Sequence, residues 1–160
     1  VFCARRAQAV WRGSHPSLRN DVTCPPAQCS SSPTTPAITE GLASLPSLRH
    51  SLVAFCAGKD HFDVAFASKS ERFASGSQWL TRKQQREYRV LLVVDGDHLA
   101  SSWEWALASG SIVVAVGFWT LAVPELQPWE HYVPALADLS DLEERVAWAI
   151  HHPDAQQVSI

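Results

Sequence analysis

Asp95-Gly-Asp97 and the pair Ser101-Ser102 follow directly on the apolar run Arg89-Val-Leu-Leu-Val-Val94. A turn leaving a strand exposes backbone N–H groups, and Gly96 allows a ligand's phosphates close to the chain. The hydroxyls of Ser101 and Ser102, at the start of a helical stretch, can donate to a diphosphate. The same residues also make an ordinary turn and N-cap, so composition leaves both readings open. Trp11-Arg-Gly-Ser14 is a second candidate, because an arginine and a hydroxyl beside a glycine turn can hold phosphate oxygens. Arg19 adds a cation nearby, and without further context the motif also reads as an exposed turn.

Other chemistry-bearing residues are weaker. Asp95 and Asp97 have the spacing of a DxD pair, whose oxygens suit Mg²⁺ or Mn²⁺, yet Asp-Gly-Asp is also common turn chemistry. His131 titrates in the range of a general base, but no carboxylate partner is fixed by spacing, which favours a structural histidine in a turn. The pairs Asp60/His61 and His151/His152 read as exposed surface. Cys3, Cys24, Cys29 and Cys56 form no CxxC pair, so zinc is not expected. Cys24 and Cys29 flank a proline-containing loop and suit a disulfide in an oxidising lumen, although spacing does not decide pairing.

The elements that must position these groups follow from the apolar pattern. Arg89–Val94 and Ser111-Ile-Val-Val-Ala-Val116 are continuous runs suited to strands covered on both faces. Between them Ala100–Ser109 has helical composition and Gly110 is a natural stop. Strand, helix and strand within about thirty residues make a βαβ unit, whose crossover should be right-handed. Upstream, residues 1–10 are helix or strand, Leu48–Ala57 is a short helix and His61–Phe66 a short strand. Ser68–Arg86 is a polar surface helix and loop anchored by Phe73, Trp79 and Leu80. Ser140 followed by Glu143 predicts a capping box on a last helix bearing Leu142, Val146 and Ala149, which Pro153 ends. Seven tryptophans are many for this length, and Trp103, Trp105, Trp119, Trp129 and Trp148 are expected in or near the core.

With 160 residues, 46% of them apolar, and mean hydropathy near zero, the chain supports one ordinary core. A formal charge of −3 gives no general attraction for nucleic acid, which is set aside. No stretch approaches the roughly 20 apolar residues of a membrane span. The chain contains no methionine and begins at Val1, which suggests a start partway through a longer product. Residues 20–46 are dominated by Ser, Thr, Pro and Ala, and their composition reads as a loop or insertion. The division is thus a short segment at 1–19, this insertion at 20–46, and an α/β domain at 47–160.

Seven pieces in order carry a resemblance: Trp11-Arg-Gly-Ser14, Val94-Asp-Gly-Asp97, Ala100-Ser-Ser-Trp-Glu-Trp105, Ala108-Ser-Gly-Ser111, Leu126-Gln-Pro-Trp129, His131-Tyr-Val-Pro134 and Asp138-Leu-Ser-Asp-Leu142. Together they resemble glycosyltransferase family 90, the protein O-glucosyltransferases, KDEL-motif-containing relatives and fungal capsule xylosyltransferases. The match is dense over 89–152 and sparse over 10–19. The resemblance implies an α/β fold, specifically the Rossmann-like, C-terminal, donor-binding half of a GT-B-type enzyme. It implies transfer of glucose or xylose from UDP-glucose or UDP-xylose to a protein or glycan hydroxyl, with inversion and with neither metal nor cofactor. Donor contacts carry over to Ser14, to Arg19 with a small shift, and to His98, Leu99, Ala100, Ser101 and Ser102. The catalytic base, an Asp in the family, is expected upstream of Val1. Where the glucosyltransferases place an Arg on the diphosphate, this chain has Trp103, and residues 20–46 do not match. The implied compartment is the lumen of the secretory pathway, endoplasmic reticulum or Golgi.

A rival reading is a noncatalytic remnant that keeps the fold as an interaction module, favoured by Trp103. Another Rossmann-like nucleotide binder ranks last, because no GxGxxG follows either strand.

Overall fold

The computed structural model describes residues 4–14, 47–67, 78–95, 100–117 and 125–152. Among them the elements run β1 (Arg6–Gly13), α1 (Leu48–Cys56), β2 (Phe62–Phe66), α2 (Arg82–Gln85), β3 (Tyr88–Val94), α3 (Trp103–Leu107), β4 (Ile112–Val116), β5 (Val133–Ala135) and α4 (Leu142–His151). The strands pair in the order β2-β1-β3-β4-β5, and every pair is parallel.

Side chains alternate between the two faces of this sheet, as the strand period of two requires. Ala9, Trp11, Val90, Leu92, Val94, Val114 and Val116 pack on one side with Leu52 and Cys56 of α1 and Leu142, Val146 and Ala149 of α4. Val10, Leu91, Val93, Val113 and Ala115 pack on the other with Trp103 and Ala106 of α3 and with Tyr132. Residues 90–94 and 112–116 are consequently buried throughout, which is why both strands read as unbroken branched aliphatic runs. The α/β expectation holds, and an all-parallel five-stranded sheet with helices on both faces is compatible with a Rossmann-like domain.

Several local expectations need correction. The first segment is a strand, and it continues through Trp11 and Arg12 to Gly13, so the motif there is not an exposed turn. Strand β5 had no separate sequence signal. It is three residues long and contains Pro134, which an edge strand tolerates because one side needs no ladder donor. Helix α3 begins at Trp103, later than composition suggests, and the turn after it closes at Gly110 with φ 71°.

The capping box on α4 does not form. Leu139 adopts φ 65°, and the following Ser140 donates both its backbone N–H and its hydroxyl to Asp138 Oδ1, at 3.0 and 2.7 Å. Asp141 takes the N-cap position instead, without a side-chain capping bond. Its carboxylate accepts from Leu136 N at 2.8 Å and from Arg145 Nε at 3.1 Å. Pro153 lies outside the described residues. At the other end of α4, the Nδ1 atoms of His151 and His152 lie 2.7 and 2.8 Å from the carbonyls of Ala147 and Trp148.

Trp103 is buried and Trp105 and Trp148 are half-buried, as expected for the core and its margin. Trp129 is not, with 48% of its surface exposed. Its backbone sits at φ 65°, the Arg145 guanidinium lies 5.0 Å from its ring centroid, and Trp148 meets it edge-on at 5.5 Å. Trp119 lies outside the described residues, and Trp11 fills a core position instead.

Candidate functional site

The strand order reverses between β1 and β3, because the chain leaves β1 through α1 over one face and leaves β3 through α3 over the other. Parallel strands at such a reversal separate at their carboxyl ends and leave a crevice where ligands bind. That separation is visible in the pairing. The β1–β3 ladder ends at Val10↔Leu91, while β1 stays paired to β2 as far as Gly13↔Phe66 and β3 to β4 as far as Val94↔Val116.

Two glycines shape the rim. A Cβ on Gly13 would stand 2.1 Å from Trp11 Cζ2, so only glycine lets the indole fold back beside the strand end. Gly117, at φ 138°, would place a Cβ 2.4 Å from Asp95 Oδ2 and 2.6 Å from Asp95 Cβ. Asp95 is only 4% exposed and its N–H donates to Val116 O at 3.0 Å, so this half of the DxD pair is packed into the wall between β3 and β4. Asp97 lies outside the described residues.

Parallel pairing brings the ends of β1 and β3 to one edge of the sheet; Ser14 directly follows β1, and Ala100-Ser101-Ser102 directly precede α3. Ser14 and Ser101 are exposed, Ser102 is half-buried and Ala100 is buried. Ser102 occupies the N-cap position of α3 with helical backbone angles and makes no capping bond with its side chain. Its hydroxyl is therefore not consumed by the helix. Arg19, His98 and Leu99 lie outside the described residues.

Arg12 does not serve as a phosphate clamp. Its side chain is 8% exposed, and its guanidinium donates to Gln78 O at 2.6 Å, to Asp63 O at 2.6 Å, to Trp11 O at 3.0 Å and to Asp63 Oδ1. Tyr88 Oη donates to the other Asp63 oxygen, and Arg6 Nη1 donates to Tyr88 Oη at 2.9 Å. Burial alone would raise the Asp63 carboxyl, but the hydrogen bonds from Tyr88 and Arg12, together with the charges of Arg12 and Arg6, outweigh it and hold the group below the usual carboxylate range. Burial, reinforced by that carboxylate, pushes the Tyr88 phenol upward. The arginine of the motif thus fastens β1 to β2.

Trp103 faces the core, edge-on to Tyr132 at 5.3 Å, and presents no cation to the crevice. His131 is structural, as expected: its Nδ1 accepts from Gln127 N at 2.9 Å and its own N–H donates to Gln127 O at 2.9 Å. The exposed positions of Asp60, His61, His151 and His152 also match expectation.

Arg49 is the residue that the sequence did not single out. It belongs to the first turn of α1, which runs back from the carboxyl edge towards β2, and no motif surrounds it. Its Nη2 lies 3.5 Å from Val94 O at the end of β3, and its guanidinium carbon is 6.0 Å from the Trp11 ring of β1. The side chain therefore touches both strands where they separate.

Among the described residues no helix is long and apolar enough to cross a membrane. Segments of the chain are similar to enzymes of known name. Protein O-glucosyltransferase 2 of Danio rerio is 37% identical over 70 residues, 42% of this chain. O-glucosyltransferase LpsA of Dichelobacter nodosus is 30% identical over 92 residues, or 52%. Protein O-glucosyltransferase 3 of Rattus norvegicus is 35% identical over 65 residues, or 39%. The matched segments span only 14%, 27% and 13% of those three proteins. The sequence profile of Glycosyl transferase family 90 matches residues 1–159, and the chain belongs to that family.

Proposed function

We propose that this chain is the donor-binding part of a glycosyltransferase that moves glucose or xylose from a UDP-sugar to a hydroxyl of a protein or glycan. The observation that carries the reading is the crevice between the carboxyl ends of β1 and β3, with Ser14 and Ala100–Ser102 on its flanks, in a chain of this family. Such a crevice at a strand-order reversal is where doubly wound sheets take nucleotides. The O-glucosyltransferase names of the relatives favour glucose. In this reading the chain is the C-terminal half of a GT-B-type enzyme working in the secretory lumen, and no metal enters the reaction.

The chemistry asked of these residues is binding and charge stabilisation. A base from the other half removes the acceptor proton as its oxygen attacks the anomeric carbon from the face opposite UDP, which inverts that centre. The bond to the β-phosphate oxygen breaks, and negative charge grows on the diphosphate. In this reading the Ser101 hydroxyl, which is exposed, and the Ser102 hydroxyl, unspent on capping, donate to it.

A second reading, an interaction module that keeps the fold without catalysis, draws on the burial of Trp103 in the core. Calorimetric titration of the folded chain with UDP, UDP-glucose and UDP-xylose separates the two. Saturable binding, weakened about tenfold in a Ser101→Ala/Ser102→Ala variant, is the expected result. A folded chain that takes up none of the three nucleotides would sink the donor-site reading and leave the module.

A further inference from the structure

Trp129 and Leu136 are the large apolar residues that stand exposed among the described residues, and Trp129 is the one whose ring is held in a fixed pose. It sits in the turn between Gln127 and Tyr132, where its N–H donates to Tyr132 O at 2.7 Å and His131 N donates to Gln127 O at 2.9 Å. A backbone at φ 65° is unfavourable for a bulky side chain, and such strain persists only where the surroundings enforce it. Arg145 lies over the indole at 5.0 Å and is itself fastened to Asp141 through Nε at 3.1 Å. Trp148 meets the indole edge-on at 5.5 Å and is backed by His152, stacked on it at 4.6 Å. Arg145, Trp129, Trp148 and His152 thus form one run of ring contacts, with 48% of Trp129 left to solvent.

We propose that Trp129 is the platform of a carbohydrate-binding site that stacks one pyranose ring of a glycan, separate from the crevice between β1 and β3. The face of an indole is negative, and the axial C–H bonds of an all-equatorial pyranose present a matching apolar, slightly positive face. The rim of the site is polar. Glu130 is exposed beside the ring, and Nε is the Arg145 nitrogen that Asp141 engages, which leaves the terminal amino groups for sugar hydroxyls. Size decides against a protein occupant. One indole ringed by charge falls far short of the roughly 1,000 Å² that a stable protein contact buries, but it matches one sugar ring. Position separates the site from the donor crevice. Arg89, the second residue of β3, donates to Ile150 O at 3.3 Å, which places the last turn of α4 and the neighbouring Trp148 and His152 towards the amino edge of the sheet. The crevice opens at the carboxyl edge, so a glycan on Trp129 is retained whether or not the donor site is filled.

The test is a ¹⁵N NMR titration of the chain and its Trp129→Gly and Trp129→Phe variants with cellobiose, whose two rings are all-equatorial. Sorbitol is the control, because it carries hydroxyls and has no ring face. The Trp129 indole signal is the one missing from Trp129→Gly, and glycine accepts φ 65°, so that variant keeps the turn. Thermal melts confirm that all three chains are folded. Saturable binding of cellobiose with a Kd on the order of millimolar is expected, weakened at least about tenfold in Trp129→Gly and partly recovered in Trp129→Phe. Added UDP is expected to leave the cellobiose affinity within about twofold. Equal shifts with sorbitol, or an unchanged affinity in Trp129→Gly, would overturn the inference. Loss of cellobiose on adding UDP would overturn it too, by placing the sugar in the crevice. The two readings fail independently: absent cellobiose binding overturns this one alone, and absent UDP binding overturns only the donor site.

Discussion

Asp63 on β2 receives the guanidinium of Arg12 from β1 and the hydroxyl of Tyr88 from β3, so one carboxylate joins three strands. The net effect on its proton is clear in direction: burial favours the acid form, but the two hydrogen bonds and the charges of Arg12 and Arg6 outweigh it and hold the carboxyl below its usual range. In the unfolded chain the same group titrates near the ordinary value of about 3.9. The unfolded state therefore takes up the proton first as pH falls. The stabilisation is complete above that unfolded value and is lost as pH drops towards the lowered folded one. Urea midpoints measured from pH 7 down to pH 3 should fall for the wild type, and Asp63→Asn should show a flatter dependence over the acidic end. Parallel curves would mean that Asp63 carries no linked proton. The same network explains why an arginine in a phosphate-like motif can be structural: a buried guanidinium already paired with a half-buried carboxylate is costly to redirect.

Helix α4 shows how a local pattern is overruled by its neighbours. Ser140 and Glu143 have capping-box spacing, but the chain turns at Leu139 to bury that leucine, and Ser140 then lies beside Asp138. Asp141 inherits the task of fixing the helix start through Leu136 N and Arg145. Denaturation midpoints should therefore separate the two residues, with Asp141→Ala costing about 1.5 kcal/mol and Ser140→Ala less than about 0.5 kcal/mol. Equal losses would restore the capping-box view. The elements easiest to read were β3 and β4, whose burial on both faces leaves no polar position to confuse the period. Helix α1 and strand β2 were also legible, because apolar spacing and length agree. β5 was hidden by its length and by Pro134, since it exists only as an addition to β4. The serine pair stood out as a candidate because it follows a recognisable strand. Arg49 did not, because its meaning comes from a contact with Val94 that only the parallel sheet creates.

At the scale of the whole molecule, Cys56 reports on how firmly the layers are joined. It ends α1 in the core beneath the sheet, 4% exposed, and its thiol is pushed up to about 12, chiefly by burial, with Glu143 adding to the shift and Lys59 opposing it. The reactive thiolate is thus scarce at neutral pH, and the sulfur is shielded from reagent. Peptide mapping after iodoacetamide treatment at pH 8 should find Cys56 modified at least about a hundredfold more slowly in the native chain than in urea. Similar rates would mean that α1 detaches readily. The sheet order has a further consequence, for the way the fold is reached. β1 is the first of the five strands in sequence yet lies inside the sheet, between β2 and β3. Its first neighbour, β2, arrives through one crossover, but its other side stays open until β3 has been made. During synthesis β1 therefore waits with an unpaired edge, and closure of the β1–β3 contact is the long-range event expected to govern the speed of folding. The strand junction that forms the crevice is thus also the last gap that the growing chain must close around β1.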